Sequence, residues 1–287
     1  MPDGIDADHV EQRGDQPGQH EGDASERQAR SADYVGHSYG PGGQEMCLQL
    51  LALDREIGDF FARLDSWGLD YEVALTADHG GLDIPERLRA KGTADAAWVD
   101  GALTAERLGP QIAKSANLKG PVIIFGGPNG DIYLDPKLTA AERAAATKAL
   151  LAFYRAHPQV HSVFTRAEIA RTAMPHGNPV GWTILQRIRA SFDISRSGDL
   201  YVVLKPHITP IADTTRYVST HGSPWDYDRR VPIVFWRRGM THSERGEAIE
   251  TADIMPTLAG SIGLSVDPKS IDGECLTGVQ GISCKAR

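Results

Sequence analysis

Residues 71–81 read YEVALTADHGG, an apolar run followed directly by Asp78, His79 and two glycines. A short apolar run of this kind is typical of a buried β-strand. In open α/β folds, ligand sites lie beyond the carboxyl ends of the strands. The stretch therefore predicts an α/β protein with a carboxylate and an imidazole, both able to bind a metal, at the edge of its sheet.

The sequence on either side of this strand predicts alternating helices and strands. Between Gln44 and Ser66, apolar residues recur at steps of three and four, which predicts an amphipathic helix with Gly68 as its C-terminal cap. The apolar segments 122–125 and 132–134 flank a glycine-rich turn and predict a β-hairpin.

Several later segments carry equally local signals. Capping-box sequences at 139–142 and 165–168 predict two helix starts. Apolar runs at 200–204 and 231–236 predict buried strands. The segment 253–256 predicts a helix with proline in its first turn. Because the sequence shows no internal repeat, we expect an α/β fold with a meandering insert.

The overall composition is that of a soluble globular protein. The chain has 287 residues, of which 41% are hydrophobic and 24% charged. A formal charge of -8 argues against nucleic acid as a partner, because phosphate backbones require clustered basic residues. No apolar run approaches the ~20 residues that cross a bilayer, so we expect no membrane partner.

The first 32 residues differ from the rest of the chain. They contain eight acidic and three basic residues and almost no large apolar side chain. Such a segment buries too little apolar surface to offset the entropy of ordering it. We therefore predict a disordered polar leader at 1–32 and folded sequence from Asp33 onwards.

The three cysteines give limited information. Cys47 lies in the first predicted helix and is expected in the core. Cys275 and Cys284 are close enough in sequence to close a short loop, but the spacing leaves open whether they pair. A disulfide between them would indicate an oxidising compartment.

Three further residues are candidates for a metal site together with Asp78 and His79. Asp33 and His37 are four residues apart, so in a helix their side chains share one face. His221 lies in the glycine-containing stretch THGSPW. Mixed oxygen and nitrogen ligands of this kind suit zinc best among the common ions.

Each candidate taken alone also fits a structural role. An Asp-His pair after a strand can cap a loop, and His221 can be a hydrogen-bonded core imidazole. The glycines around His221 can serve only a turn. Spacing therefore leaves both interpretations open.

Four segments taken together resemble the alkaline phosphatase superfamily, and they occur in the order found there. The nearest branch is the bacterial monomeric alkaline phosphatases, which are similar to nucleotide pyrophosphatase/phosphodiesterases. The resemblance extends from Ala32 to the C-terminus. The segments that carry it are DYVGHSYGP from Asp33, LTADHGG from Leu75, THGSPWDYD from Thr220 with the following VPIVFW, and DIMPTL from Asp253.

This resemblance implies a mixed, mostly parallel central sheet flanked by helices, and a site with two zinc ions. It makes Asp33, His37 and His221 the ligands of one zinc, and Asp78 and His79 ligands of the other. The implied activity is hydrolysis of small-molecule phosphate monoesters through a Thr or Ser nucleophile. It also implies a periplasmic or secreted protein, although the sequence has no signal peptide.

The sequence departs from the superfamily pattern upstream of Asp33. A nucleophile and a further aspartate ligand have no counterpart there, so the catalytic residues remain unknown. We expect a truncated form in which 33–287 is a partial catalytic domain with an incomplete sheet and uncovered apolar surface. It should bind about one zinc and turn over little substrate. The alternatives are a noncatalytic zinc- or phosphate-binding fragment and a phosphodiesterase or sulfatase of the same superfamily.

Overall fold

A computed structural model describes residues 32–284, which form an α/β protein. The helices are α1 (32–39), α2 (Gln44–Ser66), α3 (Pro85–Ala90), α4 (Ala105–Ser115), α5 (Ala140–Ala156), α6 (Arg166–Arg171), α7 (Ile184–Ala190), α8 (Asp226–Arg229) and α9 (Ile254–Ser261). The strands are β1 (Glu72–Thr76), β2 (Ala97–Trp98), β3 (Ile123–Gly126), β4 (Gly130–Leu134), β5 (Val160–Thr165), β6 (Leu200–Leu204), β7 (Ile208–Thr209) and β8 (Ile233–Arg237). None of the helices described is long and apolar enough to cross a bilayer.

The main core forms around a four-stranded sheet with the order β3-β4-β6-β5. Strand β6 is central and apolar throughout, and its successive side chains point to opposite faces of the sheet. Val202 and Leu204 pack into the larger core with α4 and α5, whereas Val203 packs against Ile169 of α6 and Ile188 of α7. Helices on both faces therefore explain why β6 is a continuous apolar run.

A second, two-stranded sheet contains β1, the strand that precedes Asp78 and His79. Strand β1 pairs antiparallel with β8. Helix α2 packs on one face of this pair, where Phe61 stacks on Trp236 with ring centroids 5.2 Å apart. None of the residues of α2 is fully buried. The exposed large apolar residues of α2, β1 and β8, which we call the α2 apolar face, are Leu48, Leu50, Leu51, Phe60, Leu75, Val234 and Trp236.

The local sequence signals are confirmed. Helix α2 has the predicted bounds, and Gly68 follows it with φ +69°. Thr139 and Thr165 both form complete capping boxes. Strands β3 and β4 form the predicted hairpin. Large apolar side chains are exposed on the α2 apolar face, and their link to an incomplete sheet stays a prediction.

The sheet pairing differs from the expectation. The α/β class with a mixed arrangement of strands is confirmed, but four of the five pairings described are antiparallel and only β2 with β7 is parallel. Short turns such as 126–130 join only antiparallel neighbours, because a parallel pair needs a long crossover. The predicted leader lies almost wholly outside the described residues.

The cysteines correct one expectation and settle another. Cys275 and Cys284 form a disulfide. Cys47 is exposed and free, so its expected place in the core is wrong. The physical reason is that no described element covers the face of α2 on which Cys47 lies.

Candidate metal centre

Three distant segments bring their polar side chains to one carboxylate oxygen. Asp33 and His37 lie in α1, His79 follows β1, and His221 lies in the loop before α8. The Oδ1 atom of Asp33 lies 3.4 Å from Nε2 of His37, 3.7 Å from Nε2 of His79 and 3.6 Å from Nε2 of His221. The helical spacing of Asp33 and His37 thus gives the shared face that the sequence predicted.

Hydrogen bonds fix the orientation of two of these imidazoles. Nδ1 of His37 lies 2.7 Å from the carbonyl oxygen of Ser219, and Nδ1 of His79 lies 2.8 Å from the carbonyl oxygen of Gly80. A carbonyl oxygen only accepts hydrogen bonds, so in both rings Nδ1 carries the hydrogen. In the neutral form of these rings, Nε2 then carries no hydrogen and faces Asp33, and this is the form that binds metal.

The distances to Asp33 Oδ1 match the spacing of ligand atoms around a zinc ion. In a tetrahedron with bonds of about 2.1 Å, ligand atoms lie about 3.4 Å apart. The three distances measured from Asp33 Oδ1 are close to that value or slightly longer. Ligand atoms of Asp33, His79 and His221 lie within 4.8 Å of one another, and His37 falls outside this group of described residues. One carboxylate with several neutral imidazoles is a donor set that zinc accepts.

The arrangement does not separate the two expected ligand sets. His79, expected at the second zinc, contacts the same Asp33 oxygen as His37 and His221 and stacks on His221 with ring centroids 3.4 Å apart. Asp78 is more peripheral: its side chain is 90% exposed, and its Oδ1 accepts the backbone N–H of His79. The division of these five residues between two ions stays a prediction.

Ser219 connects the three ligand-bearing segments. Its backbone N–H donates to the carbonyl of His37, and its own carbonyl accepts from the His37 ring. Its buried hydroxyl donates to the carbonyl of Leu82, which lies three residues after His79. Ser219 is itself two residues before His221. The sequence argument missed it because its role depends on contacts between distant segments.

Burial acts in opposite directions on two ionisable groups near the cluster. Desolvation, with a smaller effect of the neighbouring His79, lowers the pKa of His221 below its ordinary value. Desolvation raises the pKa of the buried Asp228 carboxyl. The first effect favours the neutral imidazole that a metal requires.

Two hydroxyl groups beside the cluster make hydrogen bonds, one as donor and one as acceptor. The Ser219 hydroxyl donates to Leu82, and the Ser223 hydroxyl accepts from the backbone N–H of Trp225. The nearby Arg229 and Arg230 both pair with Asp226. None of these contacts identifies a nucleophile, so the catalytic residue remains open.

Comparisons with known proteins identify alkaline phosphatases as relatives of this chain. Alkaline phosphatase PhoK of Sphingomonas sp is 52% identical over 88% of this chain and 45% of its own length. Alkaline phosphatase PhoD of Zymomonas mobilis is 43% identical over 86% of this chain and 43% of its own length. The crystal structure of alkaline phosphatase PafA superposes with a TM-score of 0.67 at 24% identity, over 80% of this chain and 42% of that one, which supports the fold alone.

The fold, the aspartate-histidine cluster and these relatives define a member of the alkaline phosphatase superfamily. The family model described as type I phosphodiesterase / nucleotide pyrophosphatase matches residues 29–224, more than half of the chain. The chain therefore belongs to the type I phosphodiesterase / nucleotide pyrophosphatase family. It spans less than half the length of the curated relatives that it matches.

Proposed function

We propose that this chain carries the zinc centre of a hydrolase of phosphate monoesters. The observation that supports this most directly is the convergence of three imidazole nitrogens on one oxygen of Asp33, at 3.4–3.7 Å. Asp33, His37 and His221 would hold one ion, with His79 at the same oxygen and Asp78 beside it. The alkaline phosphatase relatives give the substrate class, small-molecule phosphate esters.

The residues of the chain prepare the site before any ion binds. The carbonyls of Ser219 and Gly80 hold two imidazoles with Nε2 facing Asp33, so little reorganisation is needed on binding. A zinc ion held there supplies a Lewis acid that stabilises charge on the oxygens of an in-line displacement at phosphorus. The single carboxylate of Asp33 offsets part of the charge of the ion.

The test of the site is zinc binding by the full chain. Metal-free protein should take up about one zinc tightly, measured by competition with a chromophoric chelator. Asp33→Asn and His221→Ala should each lower the zinc affinity at least about tenfold, as expected when an interaction around the metal is lost. His176→Ala is the matched control, because His176 is an exposed histidine of a different segment.

The outcome is decisive for the assignment. Equal zinc affinity in wild type, Asp33→Asn and His176→Ala would contradict it, because the cluster would then not be the binding site. A fall in both site variants and none in the control supports it.

We expect low turnover from this chain by itself, because no contact within residues 32–284 identifies a Ser or Thr nucleophile at the cluster. The zinc-loaded protein should bind inorganic phosphate but release p-nitrophenol slowly from p-nitrophenyl phosphate. Rapid zinc-dependent release would show that another residue of the chain serves as the nucleophile.

Phosphodiesters are a second candidate substrate class, because the matching family model is described as a phosphodiesterase. Comparing inhibition or turnover of p-nitrophenyl phosphate with that of bis(p-nitrophenyl) phosphate separates the two classes. The relatives named as alkaline phosphatases favour the monoester.

We also propose a periplasmic or extracellular location. The disulfide between Cys275 and Cys284 supports it, because such bonds persist in oxidising compartments. Fractionation of the native host followed by thiol labelling of the protein tests this point. Recovery in a reducing compartment with both thiols free would contradict it.

A further inference from the structure

The three imidazoles of the cluster are not held in the same way. His37 and His79 each direct Nδ1 at a backbone carbonyl oxygen, at 2.7 and 2.8 Å. His221, like the other two rings, directs Nε2 at Asp33. Its Nδ1, however, has no carbonyl within hydrogen-bond distance among residues 32–284. Histidines that bind metal donate their other ring N–H to a carbonyl, a carboxylate or a water. His221 therefore needs a different acceptor.

One carboxylate oxygen of Asp228 accepts no hydrogen bond from the described residues. The residue is only 6% exposed, and its Oδ2 atom accepts the backbone N–H of Ser223 at 2.8 Å. Its Oδ1 atom is buried and has no hydrogen-bond partner among the described residues. A buried carboxylate oxygen without a partner is costly, so its persistence calls for an explanation.

His221 and Asp228 line the same small, partly enclosed cavity. Its volume is about 10 Å³, and its wall also includes Asn129, Ser223 and Tyr227. That volume is close to the minimum that holds one water molecule, and the wall is polar enough to bind one. The free oxygen of Asp228 and the second ring nitrogen of His221 thus have a route for a water-mediated hydrogen bond.

We propose that Asp228 is the positioning residue of His221. Its Oδ1 accepts the His221 Nδ1–H through one water in this cavity, which leaves the neutral Nε2 directed at the metal. The inference rests on the proposed zinc site. It extends that site to a carboxylate seven residues after the ligand, in the same loop and helix start.

A purely structural role for Asp228 makes different predictions. The backbone carbonyl of Asp228 accepts the N–H of Gly80, which is next to His79. That contact survives any change of the side chain. In Asp228→Asn, the N–H of Ser223 requires the amide oxygen on its side, so the amide NH2 faces the cavity. The variant therefore keeps both loop contacts and replaces the acceptor by a donor.

The first test needs no variant at Asp228. A long-range ¹H–¹⁵N correlation spectrum of metal-free wild-type protein should show His221 neutral with hydrogen on Nδ1. The signals are assigned by their loss in His221→Asn. Hydrogen on Nε2 of His221 in the wild type would overturn the proposal. This measurement does not depend on metal binding, so it stands even if the zinc site itself is wrong.

The second test compares zinc affinities. Asp228→Asn should move the hydrogen of His221 to Nε2 and weaken zinc binding about 10- to 100-fold. Asp226→Asn is the matched control: it lies two residues away on α8, but it pairs with Arg187, Arg229 and Arg230 instead of facing the cavity. Its zinc affinity should stay within about twofold of the wild type.

Two results contradict the proposal. One is an unchanged tautomer and zinc affinity in Asp228→Asn. The other is an equal loss of affinity in Asp226→Asn, because general damage to α8 would then explain both variants. Failure of the wild type to bind zinc at all would instead contradict the proposed function, and the spectrum of the metal-free protein would still decide the role of Asp228.

Discussion

Replacing Ser219 by alanine tests whether one hydroxyl holds the ligand-bearing segments together. Ser219 is 3% exposed, and its Oγ lies 2.6 Å from the carbonyl oxygen of Leu82. The substitution removes this donor and leaves the buried Leu82 carbonyl without its partner. The two hydrogen bonds between the Ser219 backbone and His37 remain, because neither involves the Ser219 side chain.

The expected magnitude follows from that single orphaned acceptor. An unsatisfied buried polar group costs about 1–3 kcal/mol of the free energy of unfolding. For a chain of this size, each kcal/mol lowers the thermal midpoint by about 2–4 °C, so Ser219→Ala should lower it by about 2–12 °C. The matched control is Ser66→Ala, whose exposed hydroxyl donates to the carbonyl of Arg63, and it should change the free energy of unfolding by less than about 0.5 kcal/mol.

The assay is thermal and urea unfolding of the metal-free protein, with EDTA present so that bound metal does not add to the measured stability. Zinc affinity is then measured on the same samples and should fall in Ser219→Ala, because the segment of His79 loses its tie to the other two. Equal effects of Ser219→Ala and Ser66→Ala on the midpoint would refute the reasoning.

Three other outcomes are expected. Burial and the neighbouring His79 lower the pKa of His221, so the unfolded chain binds a proton at this imidazole more readily than the folded protein does. The stability of the metal-free protein should therefore fall as the pH drops below 6.5. Urea midpoints that do not change with pH across that range would contradict this prediction. Reducing the Cys275–Cys284 disulfide, which spans nine positions of sequence, should cost about 2–3 kcal/mol in unfolding experiments and leave zinc affinity unchanged. Leu51→Lys on the exposed α2 apolar face should lower the fluorescence of a bound apolar dye without a large shift in the thermal midpoint.

Sequence reasoning succeeded where the signal was local. The capping boxes at Thr139 and Thr165 and the bounds of α2 depend on residues a few positions apart, and the structure reproduces them. Sequence reasoning was less successful for burial and strand pairing, which depend on how several elements pack together. Cys47 was expected in the core because its helix is amphipathic, but burial requires a second surface to pack on that face. The pairing of strands likewise depends on which neighbours are present.

The candidate site divides in the same way. Asp33, His37, His79 and His221 could be named from motifs, and the structure brings them to one oxygen. Their assignment to separate ions could not be tested by spacing, and the structure places His79 beside His221. Asp228 gave no signal beyond its position seven residues after His221, since an aspartate in a polar loop is ordinary.

The sequence by itself determined several of the helices and strands, the superfamily and the residue types able to bind a metal, because each of these depends on short-range patterns of polarity and on motif order. Only the tertiary structure decided that Asp33 Oδ1 is the shared point of three imidazoles, that Ser219 ties their segments together, and that Asp228 holds a buried carboxylate oxygen without a partner among the described residues. The reason is that hydrogen bonds and ligand distances between residues 46 to 188 positions apart are set by how the elements pack, and local sequence does not encode that packing.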